Sequence, residues 1–468
     1  MRFNNAVYAW YVVGVLLLAQ AASFVDRMIM GLLVGPIRAT FEISDTQYSL
    51  LAGLAFAIFY ALMGFPLARI ADHKSRRTLI AVGIAVWSAM TAACGLAKSF
   101  WGLFWARVGV GVGEASLGPA AYSIITDYFP RESLARALSI YMIGVTVGSG
   151  LAYMIGGSVV AWVEGLGTLT LPLLGDVHGW QVTFFIVGLP GLLLSLLMFT
   201  VREPIRRGRL AVVPVRTGAL EEPSAIRDLE VAPTRGTGAV ATPHVDVLPV
   251  RDVAAWVWRR RRAYGAHMLG ISTYVMVVYA LNLWGPTYLI RTFGYSVSEA
   301  GWTFGLLMIG TGTAGLLLAG WIADWWTARG RTDAYVRIIV VTMIAIMPFV
   351  LALGVLDDPR FAIPALGIAV FFSAFQGGLA GGALQIMTPN QMRAQVMALY
   401  AFIANLVGMG LGPLVVAATT DYVFGDDAAI GKSIALSGAV LCPIGALILW
   451  SGIGAIRAEI EAARRFEE

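Results

Sequence analysis

Twelve apolar runs, each long enough to cross a bilayer as a helix, recur along this chain. A hydrocarbon core about 30 Å thick needs about twenty such residues at 1.5 Å of rise each. The runs are Tyr8–Val34, Ser49–Ala71, Thr78–Ala97, Phe100–Tyr128, Leu134–Val163, Trp180–Val201, Tyr264–Leu289, Ala300–Trp325, Tyr335–Leu356, Phe361–Met387, Ala394–Val423 and Ile430–Ile456. Lipid offers the backbone no hydrogen-bond partner, so such runs must close their bonds internally as helices. The chain is 58% hydrophobic and 13% charged, with a mean hydropathy of +0.76. A soluble core of 468 residues could not hide that much apolar surface. The expected class is an all-α membrane protein of twelve transmembrane helices in two six-helix bundles. The first run is too long for a cleavable signal peptide and is expected to span.

The formal charge of +5 reports topology. With the N-terminus in the cytoplasm, about twenty-five Lys and Arg fall in cytoplasmic segments and about five in external ones, as the positive-inside rule asks. No nucleic-acid partner is therefore expected. An even number of helices returns the C-terminus to the same side, and a prokaryotic cytoplasmic (inner) membrane is the expected location. Cys94 and Cys442 lie inside apolar runs and read as packing residues. His73, His178, His244 and His267 show no ligand spacing, so neither a metal nor a cofactor is expected. No nucleophile elbow, metal cluster or His-x4-Asp pair is present, which argues against a membrane-embedded lipid enzyme.

Between residues 202 and 262 the hydropathy collapses into Pro, Gly and Arg, the composition of a cytoplasmic linker. It ends in WVWRRRR, Trp256–Arg262, which reads as a short interfacial helix anchored on anionic lipid. The expected organisation is a bundle over 1–201, this linker, and a second bundle over 263–468. The halves echo each other weakly. Ala68–Arg77 (ARIADHKSRR) follows the second run and Gly320–Arg331 (GWIADWWTARGR) follows the eighth, each placing an Asp and then basic residues beyond a spanning helix. Such repeats are a known transporter plan, with the site at the repeat interface.

These two loops, the R-x-x-x-G-x-G of Arg107–Gly113 and the long linker together resemble the major facilitator superfamily. The first loop departs from the family pattern at Ala68 and His73. The glycine-rich fifth span keeps Gly144, Gly148, Gly150, Gly156 and Gly157 without the proline of the antiporter motif. Within the superfamily, FVDRMIMGLL, GEASLGPAAYSIITDYFP, LARALSIYMIGVTVGSGLAYMIGG and GWQVTFFIVGLPG are similar to the spinster lipid transporters. The resemblance implies no enzymatic activity. It implies alternating-access export or flipping of an amphipathic lipid such as sphingosine-1-phosphate or a lysophospholipid, coupled to or regulated by protons. An organic-anion/H⁺ symporter or a small-molecule drug exporter is the alternative. A monomer in the lipid bilayer is expected.

The resemblance also implies that spans 1, 4, 7 and 10 line a central cavity. Three ionisable residues sit deep in two of them: Asp26, Arg107 and Glu114. Facing lipid, three charges would cost about 8–10 kcal/mol, as much as a typical folding free energy. They are therefore expected to pair in a wet cavity and to bind substrate and couple protons, with Asp26 as the partner of Arg107. Arg107 offers a planar donor fork to a phosphate or carboxylate. Arg27 points about 100° from Asp26 and reads as a helix–helix or external-rim residue. Ser23, Tyr122, Tyr279, Asn282, Phe372, Phe375 and Gln376 are expected to line the cavity. Asp72, Arg76, Arg77, Asp127, Asp324 and Arg329 are expected to gate it by bracing cytoplasmic helix ends.

Overall fold

The computed structural model describes residues 3–165, 169–171, 175–204, 250–389 and 392–467. Eleven helices in it are long and apolar enough to cross a membrane: α1 Ala6–Leu32, α2 Asp45–Ala71, α3 Arg76–Cys94, α5 Arg136–Val163, α6 Gly179–Met198, α7 Arg261–Phe293, α8 Val297–Ala328, α9 Ala334–Ala352, α10 Pro359–Met387, α11 Gln395–Phe424 and α12 Asp427–Ala463. The remaining expected span, α4, is divided into Phe100–Glu114 and Leu117–Tyr128. Counting α4, the described residues hold twelve spans, six before the linker and six after it. The all-α expectation meets one exception, an antiparallel pair of strands between α5 and α6: β1 Leu169–Leu171 and β2 Gly175–Val177. Nearly all the expected linker, 205–249, lies outside the described residues.

Polar side chains set where the spans begin. Ser44 and Gln47 close a reciprocal capping box at α2, and Ser296 and Glu299 do the same at α8. Ser99 caps α4 by accepting from the Gly102 N–H. Before α7 runs an amphipathic helix, Val250–Arg259, longer than the Trp256–Arg262 expected from sequence. The difference is local: Arg260 stacks on Trp256 at 4.4 Å and pairs with Glu459 of α12 at 3.0 Å, so the basic run divides between this helix and the start of α7.

The two halves meet along two seams. Where α5 crosses α8, a Cβ on Gly157 would lie 3.2 Å from the Gly301 Cα, and one on Gly305 2.6 Å from the Gly150 carbonyl. Where α2 crosses α11, a Cβ on Gly53 would lie 2.8 Å from the Met409 carbonyl. Side chains there would force the helices apart, so small residues permit the contact. Both α2 and α11 widen into a π-helical turn at this crossing, Leu50–Leu54 and Ala404–Met409.

With the Lys/Arg-rich ends taken as cytoplasmic, the external end is closed by ion pairs running in both directions between the halves. Arg291, at the end of α7, donates through Nη1 and Nη2 to Asp45 of α2 at 2.6 and 2.8 Å. Arg38, between α1 and α2, reaches Asp427 at the start of α12 at 2.5 Å and Asp45 at 3.1 Å. The Thr46 N–H donates to Asp421 of α11 at 2.7 Å. Asp45 is fully buried under these arginines. Removing one partner of such a pair leaves an uncompensated buried charge, a loss of about 3–5 kcal/mol.

Two outcomes are expected. Cysteines at exposed Lys98 and Lys432 label from outside with an impermeant maleimide, while cysteines at Lys74 and Arg331 do not; the reverse pattern overturns the topology. Thr287, buried beneath the Gly31 carbonyl at 3.4 Å, serves as a reporter of the external closure. Thr287→Cys is expected to label from outside only when Asp45→Asn or Arg291→Gln is added. If neither addition exposes it, these pairs are not what holds the external end shut.

Candidate functional site

Between the halves lies a cavity, of about 410 Å³, that runs from mid-membrane toward the cytoplasmic end. Its N-terminal wall is largely polar: Gln20, Ser23, Arg27, Tyr60, Glu114, Tyr122 and Tyr141 line it. The C-terminal wall is mostly apolar or bare, with Val278, Met308, Gly312, Leu316, Val370, Ala374, Gly377 and Gly378. Closed outside and open toward the cytoplasm, the protein is in an inward-facing arrangement.

The charged end of the cavity is built by α1 and α4. Arg27 Nε pairs with Glu114 Oε2 at 2.6 Å, and Ser23 Oγ donates to the same oxygen at 2.6 Å. The other carboxylate oxygen, Oε1, is buried without a partner. The Arg27 guanidinium lies 4.7–5.1 Å from the ring centres of Phe24, Phe56 and Tyr60, within cation–π range. Two corrections to the sequence reading follow. Arg27 makes the expected helix–helix contact, with Glu114 of α4 and the rings of Phe56 and Tyr60 of α2, but as a buried base on the cavity wall and not at the external rim. Arg107 makes no ion pair among the described residues: its Nη1 donates to the Asp26 main-chain carbonyl at 3.3 Å, its Cζ lies 5.4 Å from the Phe56 ring, and its Nε is unpartnered. Seven residues separate it from Glu114, about 10 Å along the helix, too far to share that carboxylate.

The three deep residues thus divide. Glu114 lines the main cavity. Arg107 lines a smaller cavity on the external side, shared with Arg27, Phe56, Tyr153, Tyr279 and Asn282. Asp26 is buried and lines neither. Arg27 borders both cavities. Ser23, Tyr122, Tyr279, Asn282 and Gln376 line the main cavity as expected. Phe372 and Phe375 do not. The α10 helix breaks at Ala374–Phe375, and the two rings pack with Phe371 in an aromatic cluster behind the wall, leaving Ser373, Ala374 and Gln376 to face inward.

At the cytoplasmic end of the first half, Arg76 is almost wholly buried and joins three elements. It donates to Asp127 of α4 at 2.5 Å and to Glu203, just past α6, at 2.8 Å. Glu203 also accepts from Ser75 Oγ and the Arg77 N–H, each at 2.9 Å. All these contacts lie within one half. Sequence reading missed Glu203, although an acid between Arg202 and Arg206 just past a span was the available signal. The second half is not assembled in the same way. Asp324 is exposed, makes no ion pair among the described residues and lines a separate pocket with Tyr335 and Phe375. Arg329 stacks on Trp325 at 3.8 Å. The side chain of Asp72 lies outside the described residues.

Burial alone would raise the Glu203 carboxyl, but the Arg77 N–H, Arg76 and Ser75 outweigh it and hold it below its ordinary 4.5. A depressed carboxylate stabilises the fold above its ordinary value and loses that contribution as pH falls through the lowered one. Glu203→Gln is therefore expected to cost about 1–2 kcal/mol at neutral pH. The gap from the unmodified protein should close below about pH 4 in thermal unfolding. A gap unchanged down to that pH would show that the charge of Glu203 contributes nothing.

A model of the Major Facilitator Superfamily matches residues 16–413. An MFS-type efflux pump of Mycolicibacterium smegmatis is 28% identical over 459 residues, 97% of this chain and 95% of its own. Protein spinster homolog 1 of Xenopus tropicalis is 25% identical over 428 residues, 88% of this chain and 73% of its own. The solved structure of a bacterial homologue of the human lysosomal transporter spinster, inward-facing and unoccupied, matches with a TM-score of 0.74 and 26% identity over 98% of each chain. The twelve helices, the cavity between two halves and these matches agree: the chain belongs to the major facilitator superfamily and is a multi-pass membrane transporter, not an enzyme.

Proposed function

We propose that this transporter moves an amphipathic, anionic or zwitterionic lipid of the sphingosine-1-phosphate or lysophospholipid kind, with proton uptake at Glu114. The observation that carries the reading is the division of the cavity into a charged end and an apolar wall. A phosphate-bearing headgroup fits the Arg27 fork, which offers parallel donors. A hydrocarbon tail fits the wall of Met308, Leu316, Val370 and Ala374. On the α5–α8 side the cavity wall carries Tyr141, Met142, Val145, Met308 and Leu316. Similarity to spinster proteins over most of the chain supports the same reading.

The coupling follows from the Arg27–Glu114 pair. An anionic headgroup that takes the guanidinium leaves Glu114 with only Ser23 for company. A carboxylate buried without a cation is very costly, and taking up a proton relieves that cost. Release of the headgroup restores the pair and expels the proton. The Arg76 bracket and the Asp324–Arg329 end are assigned the gating role, biasing which end of the cavity is open.

Efflux of a small molecule or symport of an organic anion is the second reading, favoured by the similarity to an efflux pump along nearly the whole chain. Binding and uptake of a panel of labelled lysolipids and water-soluble organic anions, with and without a pH gradient, separates the two.

Arg27→Lys is expected to weaken lipid binding at least about tenfold, because an ammonium cannot reproduce the fork. Arg107→Lys, outside the main cavity, should change binding to the inward-facing state less than about threefold. Glu114→Gln should bind lipid equally at pH 6 and pH 8 while losing pH-driven uptake. Unaltered pH dependence of uptake in Glu114→Gln would remove this mechanism.

A further inference from the structure

Two glycines on the cavity wall are not explained by packing. Most glycines of α4 let a neighbour come close: a Cβ on Gly111 would lie 2.6 Å from the Phe56 carbonyl, and one on Gly113 2.6 Å from the Trp87 nitrogen. Gly118 in α4 and Gly378 in α10 differ. A Cβ at either would meet no protein atom within 4 Å. Both line the main cavity, one from each half, in the helical segments that follow the breaks at Ala115–Ser116 and Ala374–Phe375. A glycine inside a helix is less stable than an alanine there. Here no helix contact is gained in return.

What these positions preserve is open space beside the charged end. Gly118 lies four residues past Glu114, whose Oε1 is buried, unpartnered and on the same cavity wall. The cavity that the two glycines border is lined by Leu117, Val145, Met308, Leu316, Val370 and Ala374, with Tyr122 and Gln376 among its polar residues.

We propose that Gly118 and Gly378 form the slot for the hydrocarbon tail of the transported lipid and determine which chain lengths the protein accepts. The inference rests on the lipid reading above and specifies it: the headgroup is held at Arg27 and Glu114, and the tail runs past the two glycines toward the cytoplasmic end. A Cβ added at either position meets no protein atom within 4 Å, so on this proposal a side chain there takes up tail space and leaves the headgroup contacts in place.

The test is binding, to purified protein in nanodiscs, of a series of single-chain glycerophospholipids of one headgroup with chains of about eight to eighteen carbons. Each methylene denied its apolar contact costs about fourfold in affinity. Gly118→Leu and Gly378→Leu are expected to weaken binding of the longest chains about tenfold or more. Binding of the shortest should stay within about twofold, so the optimum moves to shorter chains. Gly118→Ala and Gly378→Ala should shift it the same way by less, which keeps the test decisive if a leucine variant fails to fold. Gly310→Leu, an equally open and exposed position on α8 outside the cavity, should leave the profile unchanged. If the unmodified protein shows a chain-length optimum that neither glycine moves, or if the variants lose all lengths equally, the slot is wrong while the lipid reading stands. If the unmodified protein binds none of the series but does bind a small organic anion, the lipid reading falls and this inference with it.

Discussion

The cavity of this transporter is organised around one buried ion pair, Arg27 with Glu114. Each charge alone would be intolerable at that depth, and together they are held by Ser23 and by the faces of Phe24, Phe56 and Tyr60. A pair of this kind contributes little to stability compared with a well-packed apolar substitute.

The two ends of the molecule are held by different chemistry. Outside, Arg38 and Arg291 each reach across to an acid of the other half, so opening that end must break ion pairs between bundles. At the cytoplasmic end, the Arg76–Asp127–Glu203 bracket stays inside the first half and stiffens it as a unit. Rigid halves that separate at one end while latched at the other are what rocking about a central site requires. The glycine crossings of α5 with α8 and of α2 with α11 supply close contacts about which such rocking can occur.

An apolar wall opposite a charged one is the feature on which the proposed amphipathic substrate rests. The aromatic rings of Phe371, Phe372 and Phe375 fill the second half behind the wall, so the wall itself can be smooth. Glycine and alanine on that surface widen the cavity where bulky residues would close it.

Much of this was legible in the sequence. Hydropathy alone determined the twelve spans, because lipid forces each apolar run of sufficient length into a helix that satisfies its own backbone. Charge asymmetry gave the expected orientation, and Glu114 and Arg107 within a span singled out α4 for a functional reading. Sequence periodicity could say which residues share a helix face, but not how that face is rotated against its neighbours. That rotation, set by packing, turned Arg27 rather than Asp26 toward the cavity, left Arg107 against a main-chain carbonyl, and hid Phe372 and Phe375 behind their own helix. The external latch joins residues as far apart as Arg38 and Asp427. Such pairings are decided only in three dimensions, because a charge in a loop chooses its partner by the distance that the folded helices leave between them.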